Sequence, residues 1–377
     1  MRKLIFQVHL WTGLILFLPL VLLGVSGSAL VVFEAMNESK PAIISSTGPA
    51  HSYDEIAAAA LKDAPNGAKV AAFTVPEHAN EAAQVRVGRG PRGGSLVDVD
   101  PNTLEILKTD KGGGRNPLFM LAHDLHGRML IEGPAGRQVV GWLGVAMCVL
   151  GISGIVIWWP RKGGWARAFT ASIGKGPYRT NRDLHGATGI WILAVFMTVS
   201  LTGVLISFPE PMAKAIIAIA PGRDLRATQN AVKVEPIRDQ KPIGLDEAAR
   251  LARAAAPDAR IISMAPAQKP DQPFRVMMAQ PGYQDRAPAL NVFIDPLRGE
   301  VIEVRDPRTY TLGENIQAWQ RAVHEGSGFG IVWKALVFIS GLVPLLFAVT
   351  GVAMWLIKRK ARAAMLTPGV EPESVDA

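Results

Sequence analysis

The chain has 377 residues, of which 49% are hydrophobic and only 19% charged, with a formal net charge of +8. That balance, with a mean hydropathy of +0.20, indicates a membrane protein with sizeable polar parts. A single cysteine, Cys148, excludes an intrachain disulfide framework.

Arg2 and Lys3 precede the first apolar run, residues 4–33. This run is too long for a typical signal-peptide core and lacks a small-residue cleavage site, so it is read as a retained membrane anchor. Three further runs, 139–159, 189–208 and 331–357, each reach about the 20 residues that cross a bilayer. Basic residues crowd beside them at Arg2 and Lys3, across 160–188 (Arg161, Lys162, Arg167, Lys175, Arg179, Arg182), and across 358–377 (Lys358, Arg359, Lys360, Arg362). Short basic segments at span ends follow the positive-inside rule. They are expected in the cytoplasm, which puts the large loops 34–138 and 209–330 outside, in the periplasm of a bacterial inner-membrane protein. The same placement argues against a nucleic-acid surface, which would have no reason to respect span ends.

The two loops echo each other. Asp54 opens DEIAAAALKDAP and Asp246 opens DEAARLARAAAP, each an apolar-periodic helix stopped by proline. Alternating strands follow in both, with Asp100-Pro101 and Asp295-Pro296 at matching turns, so each loop is expected to be a small α+β module.

The spans repeat as well. His9 and His185 each have a glycine four residues on (Gly13, Gly189) and a small-residue pair that ends eighteen residues on (Ser26-Gly27, Thr202-Gly203). Ser153-Gly154 in the second span matches Thr350-Gly351 in the fourth, and His126 stands about as far upstream of the former as His324 does of the latter. The expected fold is therefore an α-helical membrane protein with α+β extracytoplasmic modules, its four spans arranged as a parallel duplication of helix, module, helix. A parallel repeat pairs about an axis along the membrane normal, which opposes His9 to His185 and His126 to His324.

A lone histidine at a span end is ordinarily an interfacial residue, but four at repeat-matched positions suggest a shared task. Imidazoles from two helices can ligate a haem iron from opposite faces, and small residues such as Gly13, Gly24, Gly27, Gly189 and Gly203 would leave room between helices. Two non-covalent b-type haems are expected, since no C-x-x-C-H is present. Arg2, Arg128, Arg137, Arg182 and Arg321 are near enough in sequence to meet haem propionates. His123, one turn before His126, is an alternative ligand, although its repeat counterpart is Arg321. A zinc site from His123, Asp124 and His126 lacks a strong third ligand set by spacing. His51 and His78 are read as surface residues. Gly88-Arg-Gly-Pro-Arg-Gly matches G-x-G-x-x-G, yet it leads into a strand, so it reads as a hairpin loop and not as a dinucleotide site.

The segments HLWTGL, LHGRMLIEGPAGR, RDLHGATGIW and AVHEGSGFG, in that order and duplicated, resemble the PepSY-associated transmembrane proteins, also called iron-regulated membrane proteins. Nearly the whole chain is covered, and the two modules resemble PepSY domains. The FoxB-like diheme ferric-siderophore reductases are similar, and that resemblance implies a cytoplasmic-side haem on His9 and His185 and a periplasmic-side haem on His126 and His324. It further implies a ferric siderophore as acceptor and a separate electron donor, either quinol or a cytoplasmic reductase. The Gly112–Arg115 loop and Arg86, Arg89 and Arg92 are regional docking candidates. Two other readings are a PepSY membrane scaffold that binds an envelope protein and a siderophore or metal permease. Spans with hardly any acidic residue argue against a cation path.

Overall fold

The computed structural model describes residues 1–37, 40–90, 93–111, 116–160, 163–237, 240–284 and 286–366. The first half comprises α1 (Arg2–Asn37), α2 (Tyr53–Leu61), β1 (Lys69–Thr74), β2 (Ala83–Gly90), β3 (Gly93–Val99), β4 (Ile106–Lys111), α3 (Pro117–Arg128) and α4 (Pro134–Trp158). A short α5 (Trp165–Ala168) connects it to the second half. That half comprises α6 (Pro177–Ser207), α7 (Pro209–Ile219), α8 (Leu225–Ala231), α9 (Leu245–Ala255), β5 (Arg260–Ala265), β6 (Phe274–Ala279), β7 (Leu290–Asp295), β8 (Glu300–Arg305), α10 (Leu312–Glu325) and α11 (Gly330–Leu366). Gly112 to Arg115 and Arg92, named above as docking candidates, lie outside the described residues.

Among the described residues, four helices (α1, α4, α6 and α11) are long and apolar enough to cross a membrane. The chain is an α-helical membrane protein with an α+β part. The helices run beyond the apolar runs: α6 begins at Pro177, which carries His185 inside a continuous helix. Each of α1 and α6 lies against both α4 and α11, so α1 and α6 face each other across the diagonal of the bundle. Leu20, Leu23, Leu143, Met147, Ile192, Phe196 and Val343 fill the space between them. Small residues set the closest approaches. A Cβ on Gly24 would run into the Gly341 carbonyl of α11, and Ser28 Oγ donates to the Phe338 carbonyl at 2.7 Å. Such small-residue contacts hold helices together where lipid removes the hydrophobic drive.

Above the bundle the two modules share one sheet. Its strand order is β4-β3-β2-β1-β5-β6-β7-β8, antiparallel throughout, with the β1–β5 seam at the centre. Phe73 faces Met264 across that seam, which places a pseudo-twofold axis there. One face of the sheet is covered by α2 and α9, burying Phe73, Val85, Val99, Met264, Val276 and Val292 completely.

The two covering helices cap each other. Ser52 and Glu55 form a capping box on α2, while Gly244 offers α9 no side-chain cap. Asp54 of α2 supplies it, accepting from the Leu245 and Asp246 amides at 2.7 and 3.2 Å. Asp246 returns the contact to the Tyr53 and Asp54 amides at 2.9 and 3.1 Å. An N-terminal cap contributes about 1 kcal/mol. Asp54→Ala is therefore expected to speed amide exchange at Leu245 and Asp246 in the opposite half. Asp246→Ala should affect α2 less, because Ser52 remains. Exchange mass spectrometry on α2 and α9 peptides checks the asymmetry.

Candidate functional site

The repeat brings the histidines together in two pairs. His9 of α1 and His185 of α6 have ring centroids 6.2 Å apart, at an interplanar angle of 72°. His126 of α3 and His324 of α10 have centroids 5.9 Å apart, at 41°. The first pair lies within the bundle, at the end remote from the sheet; the second lies at the sheet end, where α3 rests on α1 and α10 on α6. His126 contacts α1 at Leu23 and Gly27, fourteen to eighteen residues beyond His9, so the pairs are separated by about 21–27 Å of helix.

The local sequence positions each ring. A continuous helix does not carry His126 into the membrane. The chain turns at Met129 and Leu130, both in the left-handed region (φ 50° and 59°), and α4 restarts at Pro134. In the second half Gly326, Gly328 and Gly330, at φ 75° to 81°, make the equivalent turn after His324. Glycine seats the rings of this pair. A Cβ on Gly27 would stand 2.8 Å from His126 Cε1, and one on Gly203 would stand 3.0 Å from His324 Cε1. Gly27 and Gly203 let the imidazoles lie directly on the helix backbone. Gly24 serves the α1–α11 contact, and a Cβ on Gly13 or Gly189 would stand 3.9 Å from Leu150 or 3.7 Å from Phe347, in ordinary contact.

The hydrogen bonds fix one tautomer for all four rings. His126 Nδ1 is 2.9 Å from the Leu23 carbonyl and His324 Nδ1 is 3.0 Å from the Val199 carbonyl, and a carbonyl can only accept. His9 Nδ1 is 2.9 Å from Ser153 Oγ, whose own proton goes to the Val149 carbonyl at 2.6 Å. His185 Nδ1 is 2.8 Å from Thr350 Oγ1, which donates to the Leu346 carbonyl at 2.8 Å. Each Nδ1 therefore carries the proton, and each Nε2 keeps its lone pair and has no hydrogen-bond partner among the described residues. This is the arrangement found in metal-ligating histidines, where a bond at one nitrogen orients the other. Burial lowers the pKa of His126. Burial, with the neighbouring His126, pushes His324 to about 4, so both are neutral near pH 7.

Residues 6–358 match the PepSY-associated TM region family. The chain belongs to that family. No curated protein matches it.

Within this PepSY-associated chain the remaining candidates fall elsewhere. His123 is half exposed and stacks on Phe119, with centroids 6.1 Å apart and nearly parallel rings, whereas His126 is the ring that meets His324. No group of three potential metal-binding side chains occurs among the described residues, which leaves the zinc reading without a site. Arg128, Arg182 and Arg321 each engage a carboxylate of their own helix: Asp124 at 3.2 Å, Asp183 at 2.7 Å and Glu325 at 2.7 Å. Arg2 reaches the Ile157 and Trp159 carbonyls at the end of α4. Ser153 and Thr350 were visible in the sequence only as matched residues of the repeat. Their role as tautomer-fixing acceptors depends on an interhelical register that periodicity does not give.

Proposed function

We propose that this membrane protein is an oxidoreductase that binds two b-type haems, one between His9 and His185 and one between His126 and His324. The observation that supports it is the opposed imidazole pair, present twice. A metal held between two imidazoles would require their centroids roughly 6 Å apart. The separations of 6.2 and 5.9 Å fit that requirement. A bound haem supplies reversible one-electron chemistry, its potential set by axial ligands and burial.

The chain's own residues do the positioning. Ser153, Thr350 and the Leu23 and Val199 carbonyls hold Nδ1–H and leave each Nε2 lone pair available to a metal. Leu20, Leu23, Leu143, Met147, Ile192 and Phe196 keep water from the space between the two pairs. With the basic span ends in the cytoplasm, the bundle pair is cytoplasmic-side, and the sheet-end pair and the sheet are on the periplasmic side of a bacterial inner membrane. Electrons come from quinol or a separate reductase, because the cytoplasmic connection between α4 and α6, residues 159–176, is too short for a nicotinamide or flavin domain. The acceptor is a ferric siderophore, as the family resemblance suggests. Hard oxygen donors hold Fe(III) far better than Fe(II), so a single electron frees the metal.

An optical spectrum of the detergent-purified protein, before and after dithionite, with a pyridine haemochrome count, tests this. The expected result is a low-spin b-type α band and about two haems per chain. A colourless protein from haem-replete cells would overturn the proposal and leave the scaffold reading as the better account.

A further inference from the structure

We infer that the second half of the chain contains a binding cavity for an anionic ligand, and that the acceptor it admits is an anionic ferric chelate of carboxylate or catecholate oxygens. The second part rests on the oxidoreductase reading; the first does not.

The pseudo-symmetry breaks at this place. Phe73 faces Val85 on β2, and its counterpart Met264 faces Val276 on β6, so Gln84 and Arg275 occupy equivalent positions one residue earlier. In the first half Gln84 faces Asp98 and donates to its carboxylate at 3.0 Å. A chain segment closes over that surface, with the Ala42 amide bonded to Asp98 at 2.9 Å and Ile43 bridged to Glu81. In the second half the residue facing Arg275 is Phe293, which accepts no hydrogen bond from it. No ion pair or hydrogen bond satisfies the Arg275 guanidinium among the described residues. The chain after α8 keeps one contact of that segment, the Val234 amide on the Asp271 carbonyl at 3.1 Å as the Ile44 amide is on Asn80, but α7, α8 and α10 line a cavity of about 910 Å³ beside Arg275.

Five arginines line that cavity: Arg226, Arg275, Arg286, Arg305 and Arg321. The acids nearby are largely committed. Glu303 holds Arg305 at 2.8 Å, Glu325 holds Arg321 at 2.7 Å, and Arg286 meets Glu34 and Glu325. Asp224 caps α8 through the Arg226 and Ala227 amides at 3.0 and 2.9 Å. Arg275 is thus a half-buried cation without a counter-charge among the described residues, and desolvation pulls its pKa down from the usual arginine value. Burying such a charge is costly unless something pairs with it. Guanidinium forks favour planar, doubly accepting anions such as carboxylates. The volume falls within the range of small-molecule sites. Arg321 and Glu325 flank His324 on α10, so this cavity and the sheet-end histidine pair share one helix.

Gallium(III) replaces iron(III) in such chelates without accepting an electron, so it reads binding separately from reduction. Calorimetric titration of the full-length protein in detergent should show binding of gallium citrate, an anion, and none of the cationic gallium complex of a linear trihydroxamate. Arg275→Glu should weaken gallium citrate binding about tenfold or more, and Arg226→Glu, at the rim, should weaken it by a smaller factor. Arg275→Gln keeps the shape and provides a second variant should the charge reversal fail to fold. Equal binding of both complexes, or citrate binding unchanged in Arg275→Gln and Arg226→Glu, overturns the cavity. Gallium citrate binding by a colourless protein would support the cavity while refuting the oxidoreductase reading.

Discussion

His185→Ala and His324→Ala are each expected to remove one haem, taking the haemochrome count from about two to about one per chain. The losses should be independent, because the pairs are separated by some fourteen to eighteen residues of α1, and no side chain of one pair hydrogen-bonds the other. The two variants should also remove different spectral components, since the bundle pair is anchored by hydroxyls and the sheet-end pair by backbone carbonyls. Thr350→Val should act more gently. It preserves shape but frees His185 Nδ1 to lose its proton or turn, and loss of such an orienting bond typically costs 10–100-fold in metal affinity. His123→Ala should leave both haems in place, because its ring lies on Phe119, away from His324. Difference spectra of the four variants at matched protein concentration test the set. Retention of two haems in His185→Ala would refute ligation by that residue.

Phe73→Ala should weaken both modules, not one. Phe73 is fully buried in β1 at the central seam, paired with Met264 of the second half and in edge contact with Tyr53 at 5.3 Å. Truncating a phenylalanine in a closed core costs about 3–5 kcal/mol. The sheet runs unbroken from β4 to β8, and Asp54 and Asp246 tie its covering helices together. Opening at Phe73 should therefore reach β6 and β7, far from it in sequence. Hydrogen exchange of those strands in Phe73→Ala checks this. Protection lost only in β1 to β4 would mean that the modules unfold separately.

Much of this architecture is legible in the sequence because it is written twice. The Asp54 and Asp246 helices emerge as α2 and α9, the Asp-Pro turns join β3 to β4 and β7 to β8, and the matched histidines meet as rings. Periodicity shows which face of a segment is apolar, and repetition shows which residues are equivalent. Neither shows how two equivalent surfaces meet. The β1–β5 seam and the exchange of caps were hidden for that reason, as were the seats of His126 on Gly27 and His324 on Gly203. The cavity was harder still to see. It arises where α7 and α8, helices without a counterpart in the first half, line the sheet beside Arg275, a departure from the repeat that no motif marks.

The reciprocal capping has one more consequence. Asp54 binding the start of α9 while Asp246 binds the start of α2 is an isologous contact, the kind that two identical subunits make across a twofold axis. Phe73 against Met264 at the seam is another. The chain is thus arranged as a homodimer of half-chains joined by residues 159–176, and it follows that a covalent link frees it from a constraint every true homodimer obeys. In a homodimer, a substitution that opens a pocket in one subunit opens it in both, and one that unpairs a buried charge unpairs two. Here Gln84 can stay bonded to Asp98 while Arg275 faces Phe293, so the first half is free to remain scaffold while the second half diverges.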